Sequence, residues 1–411
     1  MAHALQNPDL VSLAAGFVDQ ESLPVELVQQ AFDRVFRDPV EARRALQYGT
    51  TLGIPALRHH LLENAARADG LADRYPATSI DQVVVTAGSN QLLSLLADVL
   101  CDPGDIVLCA SPTYFVVLGT FASIGAVAHG IATDAEGIIP EALEAALEQI
   151  HQRGELSRVK ALYVVSYFDN PRGLTMPRAR REAIYQTIER WSCQVPDARG
   201  IVILEDAAYR DLRYEATDDV DSFRKLDPTG DRVALTGTFS KCFSPGLRIG
   251  WGILPKDLAL AVKQQKDNFD FGTANLNQQL LLAVLESGSL AGHIQRLRQV
   301  YGAKRDAIDR AMHDLLAPLG CVRWVRPAGG IYVWVELPQD CDTGIRGPLF
   351  DLAVKSGMLY VPGEYFFPPA GEPVQQNFAR LSFGVPSEER LRRGVEAFAH
   401  ATQSYLSNAN C

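Results

Sequence analysis

From residue 83 onward the chain repeats one theme: a short continuous apolar run, a turn, and a stretch with helical spacing. The runs are Val83–Thr86, Ile106–Cys109, Ala126–Ala128, Leu162–Val165, Ile201–Leu204, Val233–Thr236 and Ile249–Ile253. Unbroken apolar runs mark strands buried on both faces, as in a mostly parallel sheet covered by helices. Helical patterns lie between them, as at Gln91–Leu100, Pro140–Ile150 and Arg178–Trp191. The spacing predicts an α/β fold with a seven-stranded, mostly parallel sheet between helices, over residues 45–290. After residue 290 the pattern changes. A long helix (Leu290–Leu316), alternating segments at Trp324–Arg326, Ile331–Val335 and Phe378–Phe383, and a closing helix (Ser387–Tyr405) predict a smaller α+β domain. Residues 1–44 and 291–411 are assigned to it, and its alternating strands are expected to leave one face exposed.

Doubly wound sheets place their sites at the carboxyl ends of the strands. The polar residues gather there: Gly88-Ser89-Asn90, Ser111-Pro112-Thr113-Tyr114, Asp169-Asn170-Pro171, Asp206-Ala207-Ala208-Tyr209 and Thr238-Phe239-Ser240-Lys241 each follow a run directly. Lys241 stands out. Burial beside a cation such as Arg248 favours the neutral amine that Schiff-base chemistry requires. Thr238, Ser240 and Arg248 are the hydroxyls and guanidinium that hold a phosphate dianion. A helix opening at Gly88-Ser89-Asn90 would add backbone N–H donors. Asp206 could keep a pyridinium nitrogen protonated, Asn170 and Tyr209 could donate to a phenolate, and Tyr114 could stack on a ring. A guanidinium such as Arg380 binds a carboxylate through two parallel bonds. Each has a plainer reading on its own: a surface lysine beside a turn, an aspartate capping a helix, an exposed arginine on an edge.

Composition excludes other classes. The 411 residues carry 39 Lys and Arg against 49 Asp and Glu, so no basic face for nucleic acid is expected. No apolar run reaches the length of a membrane span, and no signal-peptide pattern opens the chain. The seven cysteines are an odd, scattered set without metal-ligand spacing, so no metal is expected and a reducing cytoplasmic setting is.

Taken together, these motifs are recognisable. The chain resembles the class I/II aminotransferases of pyridoxal-phosphate fold type I, nearest the subgroup of kynurenine and 2-aminoadipate aminotransferases. The resemblance runs from Ser12-Leu13-Ala14-Ala15-Gly16 through Gln47-Tyr48-Gly49, Gly88-Ser89-Asn90-Gln91, Asp169-Asn170-Pro171-Arg172-Gly173 and Glu205-Asp206-Ala207-Ala208-Tyr209. It continues through Ser240-Lys241 and Pro245-Gly246-Leu247-Arg248 to Arg380-Leu381-Ser382-Phe383.

The resemblance implies an enzyme that moves an amino group between an L-amino acid and a 2-oxo acid by ping-pong chemistry. It implies that Lys241 forms the Schiff base with pyridoxal 5'-phosphate and shuttles the proton. Asp206 pairs with the ring nitrogen, Asn170 and Tyr209 bond the phenolate, and Tyr114 stacks on the ring. Ser89, Asn90, Thr238, Ser240 and Arg248 hold the phosphate, joined by Tyr48 from the partner of a homodimer with shared sites. Arg380 binds the substrate α-carboxylate, near Asn170 and the backbone of Gly16.

Several departures concern the substrate side. Asp169 and Arg172 replace residues usual in the family, and Phe17-Val18-Asp19 follows Gly16 where a proline is usual. Few residues precede Ser12, so the helix that covers the substrate entrance in relatives is expected to be missing or replaced. The alternatives are another pyridoxal-phosphate reaction (oxidation, elimination or replacement, cyclisation) and a ligand-sensing domain. The latter is disfavoured by the acidic charge and by the short stretch before Ser12. For the substrate side chain, Phe17, Phe269, Phe271, Tyr365, Phe366 and Phe367 suggest an aromatic or long apolar group. Asp19, Glu21 and Asp270 would suggest a cationic one.

Overall fold

The computed structural model describes residues 10–197, 199–215 and 221–409; the start of the proposed 1–44 segment and Cys411 lie outside them. The seven runs form the central strands: β1 (Val83–Thr86), β2 (Ile106–Ser111), β3 (Val127–Asp134), β4 (Val159–Val165), β5 (Val202–Asp206), β6 (Val233–Thr238) and β7 (Gly250–Ile253). Their spatial order is β3-β2-β4-β5-β6-β7-β1, and β7 alone runs antiparallel to its neighbours. Two short strands, Gly137–Ile138 and Ala370–Gly371, pair with β3 and bring the sheet to nine strands. These pieces were not legible as strands because two residues carry no periodicity.

Alternate residues of each strand enter separate cores. Val107, Cys109, Tyr163 and Leu204 pack on one face, Leu108, Leu162, Val164 and Ile203 on the other. Helices α1 (Ser89–Leu100) and α2 (Phe115–Ser123) cover the first face. Helix α3 (Arg178–Ser192) helps cover the second. Burial of both faces is why the runs read as continuous apolar segments.

The carboxyl-terminal part holds α4 (Ser289–Leu315) and an antiparallel sheet. Its strands are β8 (Arg323–Trp324), β9 (Tyr332–Glu336), β10 (Val361–Pro362) and, after Ala370–Gly371, β11 (Phe378–Ser382), in the order β8-β9-β11-β10. Helix α5 (Glu388–Ala409) closes the chain and packs on α4. Residues Val11–Ser12 pair in parallel with Met358–Leu359 as a separate two-stranded sheet, joining the N-terminal segment to the carboxyl-terminal part.

The expectation of a half-exposed sheet fails here. In β9 and β11 residues of both faces are buried, Arg380 among them at 3% exposure. One face meets the α4–α5 layer, while the other faces the cleft toward the large sheet, whose polar walls give the strand its alternation. No helix among the described residues is long and apolar enough to cross a membrane.

Two adjacent carboxylates end β5, and alternation sends them to opposite faces. Glu205 is wholly buried on the α3 side. It accepts from Ser166 Oγ at 2.6 Å, Arg181 Nη1 at 3.1 Å and Phe223 N at 2.8 Å. Arg181, itself 1% exposed, also donates to the Met176 and Ser166 carbonyls. This pair pins α3 to the sheet. Arg181→Met leaves Glu205 buried without its countercharge and should destabilise the fold by about 3 kcal/mol or more. Urea unfolding measures it, and an unchanged midpoint would contradict the role given to the pair.

Candidate active site

The strand ends and the small sheet enclose one cavity of about 600 Å³. Of the residues singled out from sequence, Gly16, Ser89, Asn90, Tyr114, Asn170, Asp206, Tyr209, Thr238, Ser240, Lys241, Arg248 and Arg380 all line it. Tyr48 does not. It is 81% exposed and its ring meets Phe271 edge-on at 5.7 Å.

At one end of the cavity lies an anion cradle. Gly88 has φ +91°, a conformation that glycine adopts without strain, and it opens α1 so that the helix starts at Ser89. A Cβ at Gly250, on the neighbouring β7, would overlap Gly88 and the Ser89 nitrogen, so two glycines let the backbones meet. Thr238 Oγ1 and Ser240 Oγ stand 3.1 Å apart. The Arg248 guanidinium donates to the Ala87 carbonyl at 3.1 Å and reaches Ser240 Oγ at 3.5 Å. A helix N-terminus, two hydroxyls and a guanidinium converge, which is the donor set a phosphate requires.

The middle of the cavity is organised by Asp206, 4% exposed on the α1 side of the sheet. Tyr163 Oη donates to its Oδ2 at 3.0 Å and Ala208 N to its Oδ1 at 3.1 Å. Burial pushes its pKa up to about 6, against the smaller lowering effects of those two bonds and of Lys241. A carboxylate so placed is suited to a cationic ring nitrogen. Lys241 Nζ, from the turn after β6, donates to the Gly16 carbonyl at 2.7 Å. Tyr114 reaches Asn90 Oδ1 at 3.5 Å from the α2 side. Burial raises its phenol to about 12, so it stays a neutral donor.

Arg380 forms the far wall. Its Nη1 donates to Asn170 Oδ1 at 3.0 Å and its Nη2 to the Ala14 carbonyl at 2.7 Å, while Nε is buried with no hydrogen-bond partner among the described residues. An orphaned buried donor is costly unless a ligand meets it. The cradle, the carboxylate and this donor fit pyridoxal phosphate with an amino acid beside it.

Part of the lining carries no signal in the sequence. Tyr332, Phe115, Val116 and Val361 all face the cavity. Strand pairing reveals Tyr332: Trp334 lies opposite Arg380, so Tyr332, two residues away on β9, shares the face of the Arg380 side chain. Of the aromatic candidates only Phe17 lines the cavity. Phe366 and Phe367 pack into a cluster with Trp334, Phe271 is exposed against Tyr48, and Phe269 and Tyr365 are exposed.

The acidic candidates are engaged elsewhere. Asp19 accepts from Lys304 Nζ at 2.6 Å and Ser22 Oγ at 2.6 Å. Asp270 pairs with Lys266 and Gln91, and Glu21 is exposed outside the cavity. Arg172 also lies outside the cavity, held by Asp169 at 2.8 Å and by the Asp134 carbonyl. The two family departures compensate each other.

Asp206 makes the stability of the ligand-free protein pH-dependent. With its pKa at about 6 in the fold, above the ordinary aspartate value of 3.8, the native state holds the proton more tightly. Its contribution is therefore full below about pH 4 and is lost as pH rises through about 6. Asp206→Asn, which cannot ionise, should stabilise the ligand-free protein at about pH 7.5 by on the order of 2 kcal/mol relative to its effect at about pH 4. Thermal melting at the two pH values measures this, and an equal effect at both would contradict it.

Known proteins resemble this chain over nearly its whole length. The family Aminotransferase class I and II matches residues 8–398. The chain is 34% identical to aromatic-amino-acid aminotransferase 1 of Thermococcus litoralis, over 98% of this chain and 90% of that one. The structure of Pyrococcus horikoshii kynurenine aminotransferase, solved with PMP, kynurenine and its product, superposes with a TM-score of 0.88 at 31% identity, covering 98% of this chain and 93% of that one. The α-aminoadipate aminotransferase of Thermus thermophilus, complexed with N-(5'-phosphopyridoxyl)-L-leucine, gives a TM-score of 0.83 at 29% identity, covering 97% and 94%. The chain belongs to the class I and II aminotransferases, enzymes that use pyridoxal phosphate to move an amino group between an amino acid and a 2-oxo acid.

Proposed function

We propose that this enzyme transaminates an amino acid with an apolar or aromatic side chain, and that Lys241 is the residue that carries the cofactor and moves the proton at the substrate Cα. The observation that carries this reading is the convergence of Lys241, Asp206 and Arg380 on one cavity. Bound pyridoxal phosphate supplies an electron-withdrawing ring that takes up the electron pair of the Cα–H bond. Asp206 keeps the ring nitrogen protonated, and its raised pKa in the ligand-free fold supports that role because a cation there relieves the buried charge. Asn170 and Tyr209 donate to the ring oxygen and Tyr114 stacks on the ring. Ser89, Asn90, Thr238, Ser240 and Arg248 hold the phosphate.

Arg380 grips the α-carboxylate with its planar fork, with Asn170 and the Gly16 backbone beside it, and so presents Cα–H to Lys241. The Gly16 carbonyl, which receives the lysine amine at 2.7 Å, gives that amine a resting place while it is not holding the cofactor. Phe17, Phe115, Val116 and Val361 would face the substrate side chain, and the engagement of Asp19 and Asp270 argues against a cationic one.

We assign residues 45–290 to the cofactor domain and 1–44 with 291–411 to the smaller one, supported by the pairing of Val11–Ser12 with Met358–Leu359. We further propose a homodimer with shared sites, in which Tyr48 reaches the partner's phosphate. The exposed Tyr48 and Phe271 rings, which meet edge-on, support it, because apolar side chains grouped on a surface mark an interface. Buried free thiols such as Cys109 and Cys242 are consistent with the cytoplasm.

Lys241→Ala should lose the absorbance band of lysine-linked cofactor while keeping its circular dichroism, and a retained band would refute the assignment. Arg380→Lys should keep the band but lose about a hundredfold in kcat/KM for every α-amino acid, since a point charge cannot replace the fork. Normal kinetics in that variant would place the carboxylate elsewhere. Mixing inactive Lys241→Ala with an inactive Tyr48 variant should restore some activity through heterodimers bearing one intact site. Subunit exchange without recovery would exclude the shared site.

A further inference from the structure

Tyr332 belongs to none of the motifs that mark the family likeness, yet it touches three of the groups on which the site depends. Its side chain is 2% exposed on β9. The Arg380 guanidinium lies over its ring, 4.2 Å from the centroid. Its hydroxyl lies 3.1 Å from that of Tyr209, and the two rings meet edge-on at 5.8 Å. A Cβ at Gly16 would overlap the same hydroxyl, so the residue whose carbonyl receives Lys241 is shaped around Tyr332. A phenylalanine would fill this volume with no polar atom to satisfy. The hydroxyl ends inside the cavity on another tyrosine, where it meets a residue assigned to the cofactor.

We propose that Tyr332 is a positioning residue of the transamination site, its hydroxyl holding the Tyr209 phenol and its ring holding the Arg380 guanidinium. The proposal rests on the roles given above to Tyr209 and Arg380. Each phenol has one proton to donate and lone pairs to accept with. Once the Tyr209 proton is turned to the ring oxygen of the cofactor, its own oxygen is free to accept, and Tyr332 is the hydroxyl within reach. A bond received at that oxygen polarises Tyr209 and makes it a stronger donor. In the ligand-free fold burial raises the Tyr332 phenol, but the charges of Arg380 and Lys241 and the bond from Tyr209 outweigh it and bring it below the ordinary tyrosine value. When Tyr209 turns to the cofactor that bond is given up, and the Arg380 guanidinium over the ring still favours donation by the Tyr332 hydroxyl. The ring acts separately: a guanidinium lying on an aromatic face is attracted to it, which holds the plane of the fork against rotation.

The two halves of the proposal are separable in holoenzyme carrying Tyr332→Phe or Tyr332→Leu. The readouts are the pH midpoint of the lysine-linked cofactor absorbance, kcat, and KM for the amino acid. A weaker Tyr209 donor stabilises the deprotonated cofactor less, so in Tyr332→Phe the midpoint should rise by about half a pH unit. In the same variant kcat should fall about fivefold while KM stays within about twofold of wild type. Tyr332→Leu, which removes the ring as well, should raise KM about tenfold over Tyr332→Phe. A Tyr332→Phe midpoint that superposes on wild type overturns the hydroxyl role. Equal KM in the two variants overturns the ring role. Lys241→Ala separates these failures from failure of the site itself. If that variant loses the band while Tyr332→Phe leaves the midpoint unmoved, the site reading stands and the Tyr332 hydroxyl role falls.

Discussion

The Asp206 carboxylate stands at the end of a central strand, screened from water, with one tyrosine hydroxyl and one backbone amide turned toward it. A charge in that position is costly without a cation, and the rise of its pKa to about 6 expresses that cost. Much of the site follows from it. Tyr163, on the neighbouring β4, is buried on the same sheet face to meet it, while Glu205 next in sequence is turned to the opposite face and neutralised by Arg181. The sheet thus separates a buried ion pair from the carboxylate that lines the cavity by the alternation of a single strand. In the function proposed above, a ring nitrogen kept protonated by this carboxylate would complete the balance, making cofactor binding and relief of a buried charge one event.

The second constraint is that the site has two walls from distant parts of the chain. The large sheet supplies the cradle, Asp206 and Lys241; the small sheet supplies Arg380 and Tyr332. The N-terminal segment ties them together. The Ala14 carbonyl receives Arg380, the Gly16 carbonyl receives Lys241, and Asp19 is locked to Lys304 and Ser22 a few residues on. Lys304 also donates to the Gly384 and Val385 carbonyls just past β11, so the segment is anchored to the part of the fold that carries Arg380. This arrangement makes the spacing between the Lys241 amine and the Arg380 guanidinium a property of packed backbone.

What the sequence disclosed follows from the same physics. Strands buried on both faces appear as unbroken apolar runs, and polar clusters following such runs lie at the carboxyl ends of the strands, which made Asn170, Asp206 and Lys241 visible. The long helix at Ser289–Leu315 and the seven central strands were legible for the same reason of sustained pattern. Contacts made across registers were not. Tyr332 reads as an ordinary strand residue until Trp334 is known to lie opposite Arg380. Asp19 and Asp270 read as free charges until Lys304 and Lys266 are seen beside them. Alternation in β9 and β11 suggested water on one face, but a cleft lined with polar side chains imposes the same pattern as solvent. Phe366 and Phe367 illustrate the converse, since aromatic residues near a site filled the core behind it.

The central claim is that this constellation performs transamination, with the amino group passing to the cofactor and leaving a 2-oxo acid. A single half-reaction tests it most directly. Holoenzyme is mixed with an aromatic or long apolar L-amino acid and no oxo acid, while cofactor absorbance is followed and the products are weighed by mass spectrometry. The account predicts stable conversion of the cofactor to its amine form, one 2-oxo acid released per site, and full reversal when a 2-oxo acid is added. Release of ammonia, an eliminated fragment or a cyclised product, with the cofactor returning unaided to its starting absorbance, would contradict it.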